Sequence, residues 1–135
     1  MNERVRERFL NALLRRPSTR KQAAEMLRQE KLTDDEREAL MSESEDMGLI
    51  DDEGFARLFV DGHLQWGNLK IAYELSARGV SREEIDSALD EAEDEGERAN
   101  ELAESWRASG LEDRKIRARL LSRGFTNRAI RSITR

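Results

Sequence analysis

The sequence predicts an all-α protein, a tandem array of three three-helix repeats, elongated and of the kind that is often curved. Three observations carry this. Apolar residues recur at helical spacing along nearly all of the 135 residues. No stretch alternates as a strand would, and β-branched residues are scarce. A helix–glycine–cap–helix pattern returns at almost constant spacing.

Each element has a local cause. Val5, Phe9, Ala12 and Leu13 form the stripe of a first helix, and Pro17 stops it because the residue before proline avoids helical backbone. A second helix is expected from Ser18 or Thr19 to Glu30, with Ala23, Met26 and Leu27 inward. Thr33 followed by Glu36 is a capping box, so a third helix starts there and carries Leu40, Met41 and Met47 up to Gly48. Asp51 and Asp52 stand where acids favour the exposed N–H groups of a helix start. Phe55, Leu58, Phe59 and Leu64 make the stripe of that fourth helix, and Gly67 allows a turn. Ile71, Ala72 and Leu75 mark a fifth, closed by Gly79, and Ser81 with Glu84 is a second capping box opening a sixth with Ile85, Ala88 and Leu89. The acidic run 90–97 reads as a helix continuing or restarting, because Ala99, Leu102, Ala103 and Trp106 resume the period. Gly110 breaks it. Ile116, Leu120 and Leu121 mark an eighth helix ending at Gly124, and a ninth runs from about Thr126 with Ile130 and Ile133 inward.

The internal repeat organises these elements. At an offset of 45, Ile71 pairs with Ile116, Leu75 with Leu120, Arg78 with Arg123, Gly79 with Gly124, Val80 with Phe125, Ser81 with Thr126 and Ile85 with Ile130. A fainter copy lies 48 residues upstream, where Ala23, Leu27, Leu32 and Thr33 match Ile71, Leu75, Val80 and Ser81. Lys31 replaces the glycine there, so the first corner should turn differently. The expected units are residues 1–48, 49–93 and 94–135.

Composition narrows the function. Charged residues make up 39%, hydrophobic residues 37% and aromatics 5%, which is too apolar for disorder and too charged for one thick core. No apolar run approaches the roughly 18 residues of a membrane span, and the start lacks the apolar stretch of a secretory signal. Without cysteine there are no disulfides and no thiolate metal site, and a cytoplasmic location is expected. His63 is the single histidine, and no nucleophile–base pair, phosphate loop or zinc spacing is present. The acids from Asp90 to Glu97 lack the glycine and ligand spacing of a calcium loop and read as a solvated face. The expectation is a protein that is not an enzyme, with neither cofactor nor metal.

The net charge of −5 conceals an asymmetry. Residues 1–31 carry nine Lys/Arg against four Asp/Glu, residues 32–110 seven against twenty-three, and residues 111–135 eight against two. Basic ends can hold a polyanion or an acidic protein surface, and the acidic middle a basic one; the same layout also keeps charged helices solvated. The candidate partner- or DNA-contacting residues are Arg15, Arg16, Arg20 and Lys21 around Pro17, and Arg114, Lys115, Arg117, Arg119, Arg123, Arg128 and Arg131 around the Gly124 corner. Arginine suits phosphate and carboxylate through its planar fork. Few aromatics are interleaved, so stacking on single-stranded bases is weak. Trp66 and Trp106 read as packing anchors near the ends of the first helices of the second and third units.

Three segments resemble a known family. Gly48-Leu-Ile-Asp-Asp-Glu-Gly-Phe-Ala-Arg-Leu-Phe-Val60 is similar to the central signature of the RecX family. Leu75 to Val80 resembles its Leu-x-x-(Lys/Arg)-Gly-(Ile/Val) segment, and Lys115 to Phe125 its C-terminal Lys-x-x-x-x-Leu-x-x-Arg-Gly-Phe. The resemblance covers roughly residues 8–134. It implies a bacterial cytoplasmic protein, acting as a monomer in DNA repair, recombination and the SOS response. Its partner would be the RecA–DNA filament, reached in the filament groove, with ATPase and strand exchange usually restrained. By matching position, Asp51, Asp52, Phe55, Gly79, Gly124 and Phe125 are the structural motif residues, with Asp51–Asp52 expected to cap the fourth helix and hold the unit junction. The chain departs from the pattern at Lys31 and in its overall acidity. Two rival readings stand beside this one: a direct DNA-binding protein using basic helical corners, and a helical-repeat adaptor for another partner.

Overall fold

The computed structural model describes residues 3–133. Residues 1–2 and 134–135, which the first and last expected units include, lie outside them. Nine helices are present among the described residues: α1 (Glu3–Arg15), α2 (Arg20–Arg28), α3 (Asp34–Asp46), α4 (Asp52–Asp61), α5 (Asn68–Ala77), α6 (Arg82–Glu91), α7 (Glu95–Ala108), α8 (Asp113–Ser122) and α9 (Asn127–Ile133). The only extended pairing among the described residues is an isolated parallel bridge between Ser18 and Ile50.

Three small cores lie along the chain. Phe9, Leu10, Leu13, Ala23, Leu27, Leu40, Met41 and Ile50 form the first. Ala56, Val60, Ile71, Leu75, Val80, Ile85 and Ala88 form the second, and Ala99, Ala103, Ile116, Leu120, Phe125, Ala129 and Ile130 the third. The helices that enclose each core are consecutive, α1–α3, α4–α6 and α7–α9, so each trio buries its apolar face mainly against itself. Within the second and third trios the first and last helices pack closely, with alanine at the contact.

The local signals act as chemistry requires. Thr19 and Thr33 both close reciprocal capping boxes, with Gln22 and Glu36. Ser81 caps α6 through Glu84 N, but the Glu84 carboxylate takes the Ser81 hydroxyl at 2.8 Å instead of returning to the backbone. The α5 and α8 corners are the same motif twice. Gly79 (φ +91°) and Gly124 (φ +85°) take the left-handed conformation. Val80 N and Phe125 N then reach back to Leu75 O and Leu120 O, both at 3.1 Å. The α2 corner uses no positive φ at Lys31 and turns through Leu32 N to Glu30 O instead.

Three large apolar residues of the expected helices face outward. Met47, Leu58 and Leu121 are more than half exposed, and α4 ends at Asp61, before Leu64. In α4 the buried positions are the smaller Ala56 and Val60, and in α3 Ser44 is buried beside Leu40 and Met41. Small side chains in α4 let the backbones approach, so its larger Leu58 is pushed to the rim.

Successive trios join end to end. The start of one middle helix abuts the closing corner of the next. At the first junction Thr19 Oγ1 donates to Arg78 O at 2.6 Å, and the Lys21 side chain occupies the space that a Cβ on Gly79 would need, 2.5 Å away. At the second junction Gly67 N donates to Arg123 O at 2.8 Å, and Leu69 N to Gly124 O at 3.0 Å. A Cβ on Gly67 would lie 2.1 Å from Phe125 N, so only glycine fits there. Along α2, α5 and α8 the start of one helix therefore meets the closing corner of the next.

Candidate functional site

The Asp51–Asp52 pair sits at the first junction. Asp51 Oδ1 accepts from Gly54 N at 3.1 Å and caps α4, while Asp52 Oδ1 accepts from Arg20 N at 2.8 Å across the junction. Burial, and the nearby charge of Glu84, push the Asp52 carboxyl up from its ordinary range, against the hydrogen bond from Arg20. Phe55 is half-buried beside Pro17 and Leu49.

Glu95 holds the corresponding place at the second junction. It accepts from Asn68 N at 2.8 Å, Thr126 N at 3.1 Å and Thr126 Oγ1 at 2.6 Å. Three residues on, Arg98 is 3% exposed. Its Nη1 donates to Trp66 O at 2.6 Å and Leu64 O at 3.1 Å, its Nε to Glu93 O at 3.0 Å, and its Nη2 to the Asn68 side chain. Burial pushes its pKa down. Both residues escaped the sequence reading because they lie in or beside the acidic run. The available signal was register: Arg98 is the fourth residue of α7, where Phe55 is the fourth of α4.

The basic candidates divide into three groups. Arg20 is engaged in the first junction, ion-paired to Glu45 through its guanidinium, and Lys21 packs on Gly79. Arg15 and Arg16 are exposed at the end of α1. The remaining seven form the third group, and none of them ion-pairs with an acid among the described residues. On α8, Arg119 and Arg123 lie 4.9 and 5.0 Å from the Trp106 ring centroid, so Trp106 is a cation-backed anchor. Arg123 is half-buried; Arg114, Lys115 and Arg117 are exposed. Arg117 and Arg119, two residues apart, point about 200° from each other around the helix. A single face holding all of them is therefore not what the α8–α9 corner produces. On α9, Arg128 and Arg131 are exposed, and Arg128 borders a polar groove that also holds Asp90, Asp94 and Glu97.

The aromatic residues of the middle trio gather around His63. Its ring stacks on Phe59 at 4.1 Å and lies 4.3 Å from Trp66, with Nδ1 2.7 Å from Phe59 O. Arg78 and Lys70 cover Phe59 and Trp66 at 5.0 and 4.2 Å. This is a cluster of stacked rings covered by two cations. Among the described residues no group of three or more His, Asp or Glu side chains could hold a metal ion, and no helix is long and apolar enough to cross a membrane.

Comparison with known proteins places this arrangement. The model of the RecX second three-helix domain matches residues 51–89, the middle trio. Regulatory protein RecX of Streptomyces coelicolor is 35% identical over 126 residues, covering 89% of this chain and 67% of the relative. Regulatory protein RecX of Lactobacillus delbrueckii subsp. bulgaricus is 30% identical over 129 residues, covering 87% of this chain and 48% of the relative, about half its length. The crystal structure of RecX from Lactobacillus salivarius superposes with a TM-score of 0.84 at 26% identity, covering 97% of this chain and 92% of that one. A second crystal structure of regulatory protein RecX shares the fold, with a TM-score of 0.77 at 21% identity over 97% of this chain and 70% of that one. Relatives named as regulatory proteins, the three-helix units and the signature at Asp51–Asp52 agree, and the chain belongs to the RecX family.

Proposed function

We propose that this chain binds the RecA–DNA filament in the bacterial cytoplasm, as a monomer, and restrains its ATPase and recombination activity in DNA repair. It acts by binding, not by catalysis. The units 1–48, 49–93 and 94–135 serve as successive contact modules along several protomers. The observation that carries the reading is family membership joined to the seven basic side chains of α8, α9 and their corner, which ion-pair with no acid among the described residues. Exposed arginines without partners meet phosphate or carboxylate at little desolvation cost. Differential affinity for two filament states is sufficient to bias between them.

The test is the DNA-dependent ATPase of the cognate RecA, titrated with this protein at fixed salt beside a bare-DNA binding control. The expected result is inhibition well below one molecule per recombinase with weak bare-DNA affinity. Reversing Arg114, Arg117 and Arg128 to Glu should weaken inhibition by at least about ten-fold with helicity unchanged. Arg119 and Arg123 are left out because they also pack on Trp106. An unaffected ATPase with tight DNA binding that falls steeply with salt would instead identify a direct DNA-binding protein. Absence of both effects would leave an adaptor for another partner.

A further inference from the structure

The repeat makes one face of the first trio comparable with two faces already covered. In the second and third trios, the surface between the first helix and the closing corner of the middle helix receives the preceding trio. Counting back four residues from the core residues Ala56 and Ala99 gives Asp52 and Glu95, the acids that accept N–H groups across each junction. With Phe9, the first α1 residue of its core, as the counterpart of Ala56, the same count gives Val5. The corner carbonyls of Arg78 and Arg123 each accept a hydrogen bond from the start of the preceding middle helix. The position 48 residues before Arg78 is Glu30. No trio precedes the first among the described residues, and the equivalent face is an open groove of about 700 Å³ between α1 and α2.

This groove has lost the features that join one trio to another. Val5 offers no acceptor. Glu30 O is taken by Leu32 N at 3.1 Å and by Arg37 Nη2 at 3.3 Å, and the Glu30 carboxylate by Arg8 at 2.8 Å. Lys31 occupies the place of the glycine against which Lys21 and Lys70 pack in the two real junctions. Another trio, including the α8 start of a second copy, would find no free acceptor at the Val5 and Glu30 positions and an added side chain at Lys31. The groove does keep apolar walls, Phe9, Met26 and Leu27, with Leu14 64% exposed at its edge. Of its charged lining residues Arg8 and Glu30 neutralise each other, which leaves Arg15, exposed like Arg16 beyond it at the end of α1; neither ion-pairs with an acid among the described residues.

We propose that the α1–α2 groove is a docking site for an acidic amphipathic helix of a partner protein. The apolar stripe of that helix lies on Phe9, Leu14 and Met26, and its carboxylates face Arg15, Arg16 and Lys31. Two real junctions show that this kind of face is built to be covered by polypeptide. The withdrawn acceptors select side-chain burial and charge in place of backbone hydrogen bonds. The site is separate from the α8–α9 surface, so either can fail alone.

The test uses the full chain and a labelled helical peptide of roughly 18 residues, with Leu at the i, i+3, i+4 and i+7 positions and Glu elsewhere. Fluorescence anisotropy should show saturable binding, and amide NMR shifts should map to α1 and α2. A scrambled peptide and one with Lys for Glu should each bind at least about ten-fold more weakly. Leu14→Glu and Arg15→Glu, both at exposed positions, should each weaken binding by about ten-fold with helicity intact, whereas Arg117→Glu should leave it unchanged. Equal binding of the scrambled peptide, or indifference to Leu14→Glu, overturns the proposal. Concentration-dependent self-association abolished by Leu14→Glu also overturns it, and makes the occupant a second copy.

Discussion

The two junctions of this protein solve one geometric problem with different chemistry. At both, the first helical residue of a trio accepts an N–H from the start of the preceding middle helix: Asp52 from Arg20, Glu95 from Asn68. Three residues on they diverge. The first junction has Phe55, in apolar surroundings beside Pro17, and a short parallel bridge at Ser18–Ile50. The second has Arg98, buried and directed to the backbone of the preceding trio's connecting loop. The comparison teaches that tandem units need conserve only the end-to-end approach of their helices. The space beside that approach can be filled by an aromatic ring or by a hydrogen-bonded cation. The two fillings fail differently, because a ring loses contact area gradually whereas a buried guanidinium leaves polar groups without partners.

The largest effect expected is at Arg98. Arg98→Leu removes the donors to three backbone carbonyls and to Asn68, and should cost about 3 kcal/mol. Urea unfolding followed by tryptophan fluorescence should then separate into two steps, because Trp66 and Trp106 flank the weakened junction and nearest-neighbour coupling holds the array together. One cooperative transition at the original midpoint would show that the polar filling contributes no coupling.

Gly67→Ala comes next. The added Cβ meets Phe125 and Gly124 backbone at 2.1–2.2 Å, so the two trios must separate, at about 2 kcal/mol. Faster amide exchange should be confined to the α4–α5 loop and the α8–α9 corner. Uniform exchange rates across all three trios would contradict this assignment. The equivalent start of α2 carries Thr19, fully buried, whose hydroxyl both caps the helix and crosses the junction. Thr19→Ala should cost about 1–2 kcal/mol and loosen only the first junction, as read by thermal unfolding and exchange.

The smallest effect concerns the sign of a charge. The Asp52 carboxyl titrates above its ordinary range, chiefly because it is partly buried and secondly because Glu84 is near. An acid with a raised folded-state pKa favours folding below its unfolded pKa and loses that contribution as pH rises through the folded one. Asp52→Asn keeps an oxygen for Arg20 N and removes the charge. Stability at neutral pH should be unchanged or slightly higher, with a flatter stability profile across the carboxylate range. A marked loss at neutral pH would mean that the charge itself holds the junction.

Much of this was legible along the chain. The helix count, the corners at Gly79 and Gly124, and the caps at Thr33 and Ser81 follow from spacing and backbone chemistry, whereas the choice of Thr19 over Ser18 as the cap of α2 did not. These are local, and a helix start or stop is decided within a turn or two. The stripes were less legible. Leu58, Met47 and Leu121 face outward: Ala56 and Val60 take the closest contacts of α4, Met47 lies past the last residue of α3, and Leu121 is turned about 100° from the buried Leu120. The contacts of the basic candidates within the fold were not legible. Arg20 serves an ion pair with Glu45, and Arg119 and Arg123 cover Trp106.

The amino-acid sequence by itself determined the helical class, the three-fold internal repeat and the resemblance to RecX, because periodicity, glycine corners and capping residues are properties of neighbouring positions. Tertiary structure alone decided that Glu95 and Arg98 clamp one junction, that Gly67 is required by a backbone 2.1 Å from its missing Cβ, and that the first trio keeps an open groove. Each of these depends on the distance between groups tens of residues apart. That distance is set by how whole helices abut, and no local pattern encodes it.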